Sequence, residues 1–229
     1  MVEFSAKPLI ARVNWAMHMG PVWDRYYAVP PEHGAWIWWS GPLLVGGVAA
    51  GRLDWDFLAL AVAALSGFLL RQPLTLVVKV LSGRRSRSDL APSTVWAVLY
   101  GAVLFAAAFL LVLSGHSRVI LLGLIGLPVF AWYLWLVSRR EERGRVGLDI
   151  AGAAALALTA PAGYWVCDGQ DMFTPWLLWA IMAAKSSASI VHVATRLRQR
   201  HLAKLPSKAE AARMSTASLI FHAANLLAS

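Results

Sequence analysis

The sequence predicts an all-α fold, a polytopic transmembrane helical bundle of six spans with a short apolar stretch after them. Three observations carry this. Of the 229 residues, 59% are hydrophobic and 14% charged, where a soluble domain has about 25% charged. The charge is confined to short connectors between long apolar runs, the pattern of membrane spans joined by loops. Counted as spans, those runs also sort the basic residues. Of the 21 Lys and Arg, 17 fall on one side, two on the other and two inside spans. That bias assigns the N-terminus and the basic connectors to the cytoplasm. A wrong span count would scatter them over both sides.

The elements follow in order. Residues 1–32 read as a cytoplasmic N-terminal arm, interfacial in character, with Lys7, Arg12 and Arg25 among Trp15 and Trp23. It lacks the uninterrupted apolar core of a cleaved signal, and Pro30 and Pro31 stop any helix. The six-span bundle occupies 33–195. The first span runs from His33 to Ala50, with Pro42 bending it and Gly47 and Gly51 supplying a GxxxG spacing for close helix approach. The second, Phe57 to Leu81, holds Arg71, Gln72 and Pro73. The third runs from Thr94 to Leu113 and the fourth from Val119 to Val137. The fifth, Val146 to Val166, contains Pro161, and the sixth covers Met172 to Thr195. Residues 196–213 form a basic cytoplasmic segment. Residues 214–229 form a short apolar C-terminal helix, either a seventh span, a surface helix or a span cut short. No strand-like alternation and no internal repeat is visible.

Composition also excludes. One cysteine, Cys167, rules out an internal disulfide and any cysteine-based metal centre. A net charge of +9 in a polytopic chain sets topology and meets anionic headgroups. No basic domain or motif for nucleic acid accompanies it. The partner is the lipid bilayer.

Ionisable groups inside hydrocarbon are costly and usually face the bundle interior. The sixth span carries Lys185, Ser189, His192 and Arg196 at i, i+4, i+7 and i+11, one helix face. Snorkelling accounts for Arg196 but not for the deeper Lys185. In the second span Arg71, Thr75 and Lys79 share a face, and Pro73 frees a carbonyl. Arg71 either pairs with a carboxylate or binds an anion. Glu32 and His33 open the first span, as a charged helix start or as a proton-transfer pair. Glu142, Arg145 and Asp149, at i, i+3 and i+7, either pair on a helix surface or bring Asp149 to the membrane boundary. All fall in the half of the bundle assigned to the cytoplasm. They suggest one polar pocket built from Glu32, His33, Arg71, Asp149, Lys185 and His192, with Arg71, Lys185 and Arg196 as the anion-binding cations. The alternative is a buried ion-pair network that fixes helix packing. No catalytic residue and no metal ligand is assigned.

The segment VPPEHGAWIWWSGPLLVGG, Val29 to Gly47, resembles the opening of the YwiC-like family of bacterial integral membrane proteins. The run from Arg139 to Gly144 leading to Asp149, and the sixth span ending VHVATRLRQR, also look similar. The resemblance implies a bacterial plasma membrane location. Its helical layout is comparable, at fold level, with UbiA-type prenyltransferases, but the two Asp-rich magnesium motifs of those enzymes are absent here. An enzyme of this kind would be transferase-like without them.

The function expected is therefore binding of an anionic or lipid-like small molecule in a pocket of the cytoplasmic half. The alternatives are a small-anion transporter and an accessory or assembly subunit of a membrane complex. No cofactor is expected. Haem b is a further alternative, because His33 and His192 lie at similar depth, though a histidine in a polar network is the simpler role.

Overall fold

The computed structural model describes residues 21–31, 35–142 and 144–200, with Thr216 and Ala223 beyond them. Most of the arm expected over 1–32 and almost all of the C-terminal stretch 201–229 lie outside the described residues. Between residues 21 and 200 the described residues form eight α-helices: α1 Arg25–Ala28, α2 Trp36–Ala50, α3 Trp55–Leu81, α4 Leu90–Leu113, α5 Ser117–Arg139, α6 Val146–Ala157, α7 Thr159–Val166 and α8 Thr174–Arg200. No strand is present among the described residues.

Acidic caps set three helix starts. Asp24 Oδ1 accepts from the Tyr26 amide at 2.9 Å, and Asp54 Oδ1 from the Phe57 amide at 3.1 Å. Before α8, Asp171 accepts from the amides of Phe173 and Thr174 at 3.0 and 2.7 Å. Each carboxylate satisfies amides that the first turn leaves open.

Among the described residues, five stretches are long and apolar enough to cross a membrane: α3, α4 with the turn before it, α5, α6 continued by α7, and α8. The sixth, α2, has 15 residues, about 22 Å at 1.5 Å per residue. Pro42, Pro73 and Pro128 lie within continuous helices. Among the described residues, only the fifth span is interrupted, at Leu158, three residues before Pro161. There the Leu158 amide turns to Ala155 O at 3.2 Å, a tighter bond that marks a one-residue break.

α3 and α4 form an antiparallel hairpin. α2 packs chiefly on α7, while α6 and α7 pack on α8, and α5 bridges α3 to α6. Trp39, Leu43, Phe57, Phe68, Leu111 and Leu122 form part of the apolar core.

The closest helix contact is α2 against α7. A Cβ on Gly46 would lie 2.0 Å from Ala160 O, and one on Gly163 would lie 2.7 Å from Leu43 O. Thr159 Oγ1 adds a hydrogen bond to Trp39 O at 3.0 Å. The glycine spacing read from sequence is thus displaced by one residue. Gly46 meets the neighbouring backbone, Gly47 faces the Phe57 ring, and Gly51 ends α2 in the left-handed region at φ 85°.

Residues 21–31 form a strap against α3 and α4. Trp96 Nε1 donates to Val22 O at 2.7 Å, Gln72 Nε2 to Tyr26 O at 3.0 Å, and Tyr100 OH to Ala28 O at 3.1 Å. Tyr27 OH donates to Asp89 at 2.9 Å. Tyr100 is ten residues into α4 and Gln72 nine residues from the end of α3, so both sit about 14–15 Å along their helices. Irregular backbone at that depth needs protein partners for its polar groups, and these side chains provide them.

Candidate functional site

The end of the bundle where α3 finishes and α4 begins is rich in arginine. Arg84 and Glu142 join the two connectors there, with Nη2 to Oε1 at 2.8 Å and Nη1 to Oε2 at 3.3 Å. Arg84 also donates to Val137 O. Both side chains are largely enclosed, at 17% and 13% exposure. Burial pushes Glu142 upward, but the hydrogen bond from Arg84, a backbone amide and the charges of Arg84 and Lys79 outweigh it, leaving the carboxyl below its ordinary value. The pairing expected along a helix surface takes another form, because α6 begins only at Val146. Arg145 pairs with Glu141, and Glu142 reaches across to Arg84.

Deeper along α3, Arg71 turns toward α5. Its guanidinium carbon lies 4.9 Å from the centre of the Tyr133 ring. Thr75 Oγ1 donates to Arg71 O at 2.7 Å and lies 3.2 Å from Tyr133 OH. With the threonine proton used on the carbonyl, the tyrosine hydroxyl is the donor in that second contact. Arg71, Thr75 and Tyr133 make one polar patch between two spans.

One residue further, about 100° round the helix, Gln72 turns toward the strap. It lines a cleft of about 310 Å³ with Arg25, Tyr26, Val29, Pro30 and Pro31. Arg85 lies 4.9 Å from the centre of the Tyr26 ring and is held by Asp89 at 3.0 Å.

The other expected site residues are distributed as follows. Glu32 and His33 lie outside the described residues. Asp149 is exposed in the first turn of α6. On α8, Lys185, Ser189 and Arg196 are exposed and His192 is half-buried, while Ser186 and Ser187 point into the bundle. Arg71 therefore faces a neighbouring span, whereas Lys185 and Arg196 face outward from α8. No group of three or more His, Cys, Asp or Glu able to hold a metal occurs among the described residues.

Tyr133, Arg25 and the Arg84–Glu142 pair were not legible as site residues. For Tyr133 a signal existed: it lies six residues before the end of α5 at Arg139, and Thr75 lies six before the end of α3 at Leu81. Equal distance from the same membrane face puts the two hydroxyls at equal depth.

Comparison with known proteins adds identity to this geometry. The chain is 26% identical over 173 residues to the uncharacterized protein YwiC of Bacillus subtilis (strain 168), covering 75% of this chain and 68% of that protein. No solved structure matches the chain. The model of the YwiC-like protein family matches residues 29–164, a stretch that includes Arg71, Gln72, Thr75, Tyr133 and Asp149 and stops short of Lys185 and His192. More than half of the sequence lies in that match, and the chain belongs to the YwiC-like family.

Proposed function

We propose that this multi-pass protein sits in the bacterial plasma membrane with its N-terminus and basic connectors in the cytoplasm. It binds an anionic or lipid-like small molecule in the cytoplasmic half of the bundle. The observation that carries this reading is Arg71, about 15 Å along α3 from its basic end, stacked on an aromatic ring within a patch of hydroxyls. A charge at such depth costs about 2.5–3.5 kcal/mol or more. Stacking engages the face of the guanidinium, while its edge carries the N–H donors that match a carboxylate or phosphate. The pocket would draw on Glu32 and His33 for proton transfer and on the half-buried His192 for a further polar contact.

The test is native mass spectrometry of the protein released from its own membrane. Wild type should carry a bound anionic amphiphile, and Arg71→Gln should lose it while inserting normally. Equal ligand occupancy in both would sink the reading.

A second reading, small-anion transport, draws on the break at Leu158 and on the irregular strap, since interrupted spans often line transport sites. Anion flux into proteoliposomes that Arg71→Gln abolishes would favour it over simple binding.

A further inference from the structure

The cleft under the strap is lined by Gln72 and not by its neighbour Arg71, whose guanidinium lies on the Tyr133 ring of α5. We infer that this cleft is a binding site for a phosphate monoester, with Arg25 as its cation.

Four observations lead there. Its volume, about 310 Å³, is at the small end of ligand sites, which run from about 300 to 1,000 Å³. That is room for a headgroup and not for acyl chains. Among the described residues, its lining holds one cation, an amide, a phenol and an apolar wall of Val29, Pro30 and Pro31, and no carboxylate. Arg25 is exposed and makes no ion pair among the described residues. The nearest acid in sequence, Asp24, turns Oδ1 to the Tyr26 amide as the cap of α1. Finally, Gln72 already donates to Tyr26 O, so the wall that carries Arg25 is fixed to α3 before any ligand arrives. A guanidinium on a prearranged wall binds a phosphate oxyanion by paired charge-assisted hydrogen bonds.

This shares with the proposed function only the expectation of an anion at the basic end, and the two rest on different arginines. The experiment titrates dihexanoyl phosphatidate, dihexanoyl phosphatidylcholine and inorganic phosphate into the purified protein in nanodiscs, by calorimetry. Phosphatidate should bind, phosphatidylcholine should not, and Arg25→Gln should weaken phosphatidate at least about tenfold with the thermal midpoint unchanged. Arg25→Lys should recover part of the loss. Equal binding of inorganic phosphate identifies a soluble monoester as the source of the group, and binding of phosphatidate alone identifies a membrane lipid. Both sources satisfy the inference. Unchanged affinity in Arg25→Gln overturns it, and so does failure of both phosphates to bind wild type. Loss in Arg71→Gln but not in Arg25→Gln overturns this inference and leaves the proposed function standing. Loss in Arg25→Gln alone supports this inference, and the proposed function then stands or falls by its own test on Arg71→Gln.

Discussion

Arg71 on α3 stacks on the face of Tyr133 on α5, 4.9 Å from guanidinium carbon to ring centre, and Thr75 ties the same tyrosine to the same turn of α3. The two contacts separate by mutation. Tyr133→Phe keeps the stacking and loses the hydroxyl contact, a cost of about 1 kcal/mol. Tyr133→Leu loses both and should cost about 1–2 kcal/mol more. Thermal unfolding in detergent reads the difference. Identical midpoints for the two variants would mean that the stacking contributes nothing.

Gly46 is set against backbone, so no rotamer change makes space there. Gly46→Ala forces α2 from α7 and should cost about 3 kcal/mol or more. Gly101 and Gly126 have open space around a built Cβ. Their alanine variants should be neutral or gain up to about 1 kcal/mol from helix propensity. Gel filtration and thermal midpoints of the three variants check the order.

Glu142 lies below its ordinary value when folded. Its contribution is therefore complete above the unfolded value of about 4.3 and is lost as pH falls through the folded one. Asp171, held to about 2 by the Phe173 amide and by the hydroxyl and amide of Thr174, follows the same sign between about 4 and 2. Stability should fall as acid is added below about pH 4. Glu142→Gln should flatten the upper part of that fall, and Asp171→Asn the lower part. Detergent melts from pH 6 to pH 2.5 measure both.

The Cys167 thiol is buried. Burial first, then the charge of Asp54, pushes it up to about 11, with Arg52 opposing and Asp168 adding to the rise. Because the thiolate is the reactive form, maleimide should label the native protein very slowly at pH 7 and quickly after denaturation. Rapid labelling in the native state would show that this end of the bundle opens.

Much of the fold was legible because apolar run length and arginine placement are properties of single segments. Pro161 marked the interrupted span, although Pro42 and Pro73 carried the same signal inside helices that run on unbroken. Contacts between segments were harder to read. Gly46 and Gly47 are equivalent in sequence, and only the azimuth of α2 against α7 decides which meets a backbone. Glu142 had a cation three residues away, yet its partner is 58 residues distant, because the chain there is a connector and not a helix. The strap was hidden because three of its ties end on its backbone carbonyls, which no side-chain pattern reports. For the candidate site, Arg71 announced itself by its depth. Arg25 did not, since a lone arginine in a mixed segment looks like ordinary topology.

The shortness of α2 reaches beyond the protein. Its span of about 22 Å is roughly 8 Å less than the hydrocarbon core it stands in. Mismatch of that size is met by thinning of the surrounding bilayer or by water and headgroups drawn inward. Lipids beside α2 should therefore be shorter in profile and less ordered than those beside the longer α4. The protein would then prefer thin patches of membrane, and chain length in the host bilayer becomes a variable that governs how deep a headgroup sits when it meets the basic end of the bundle.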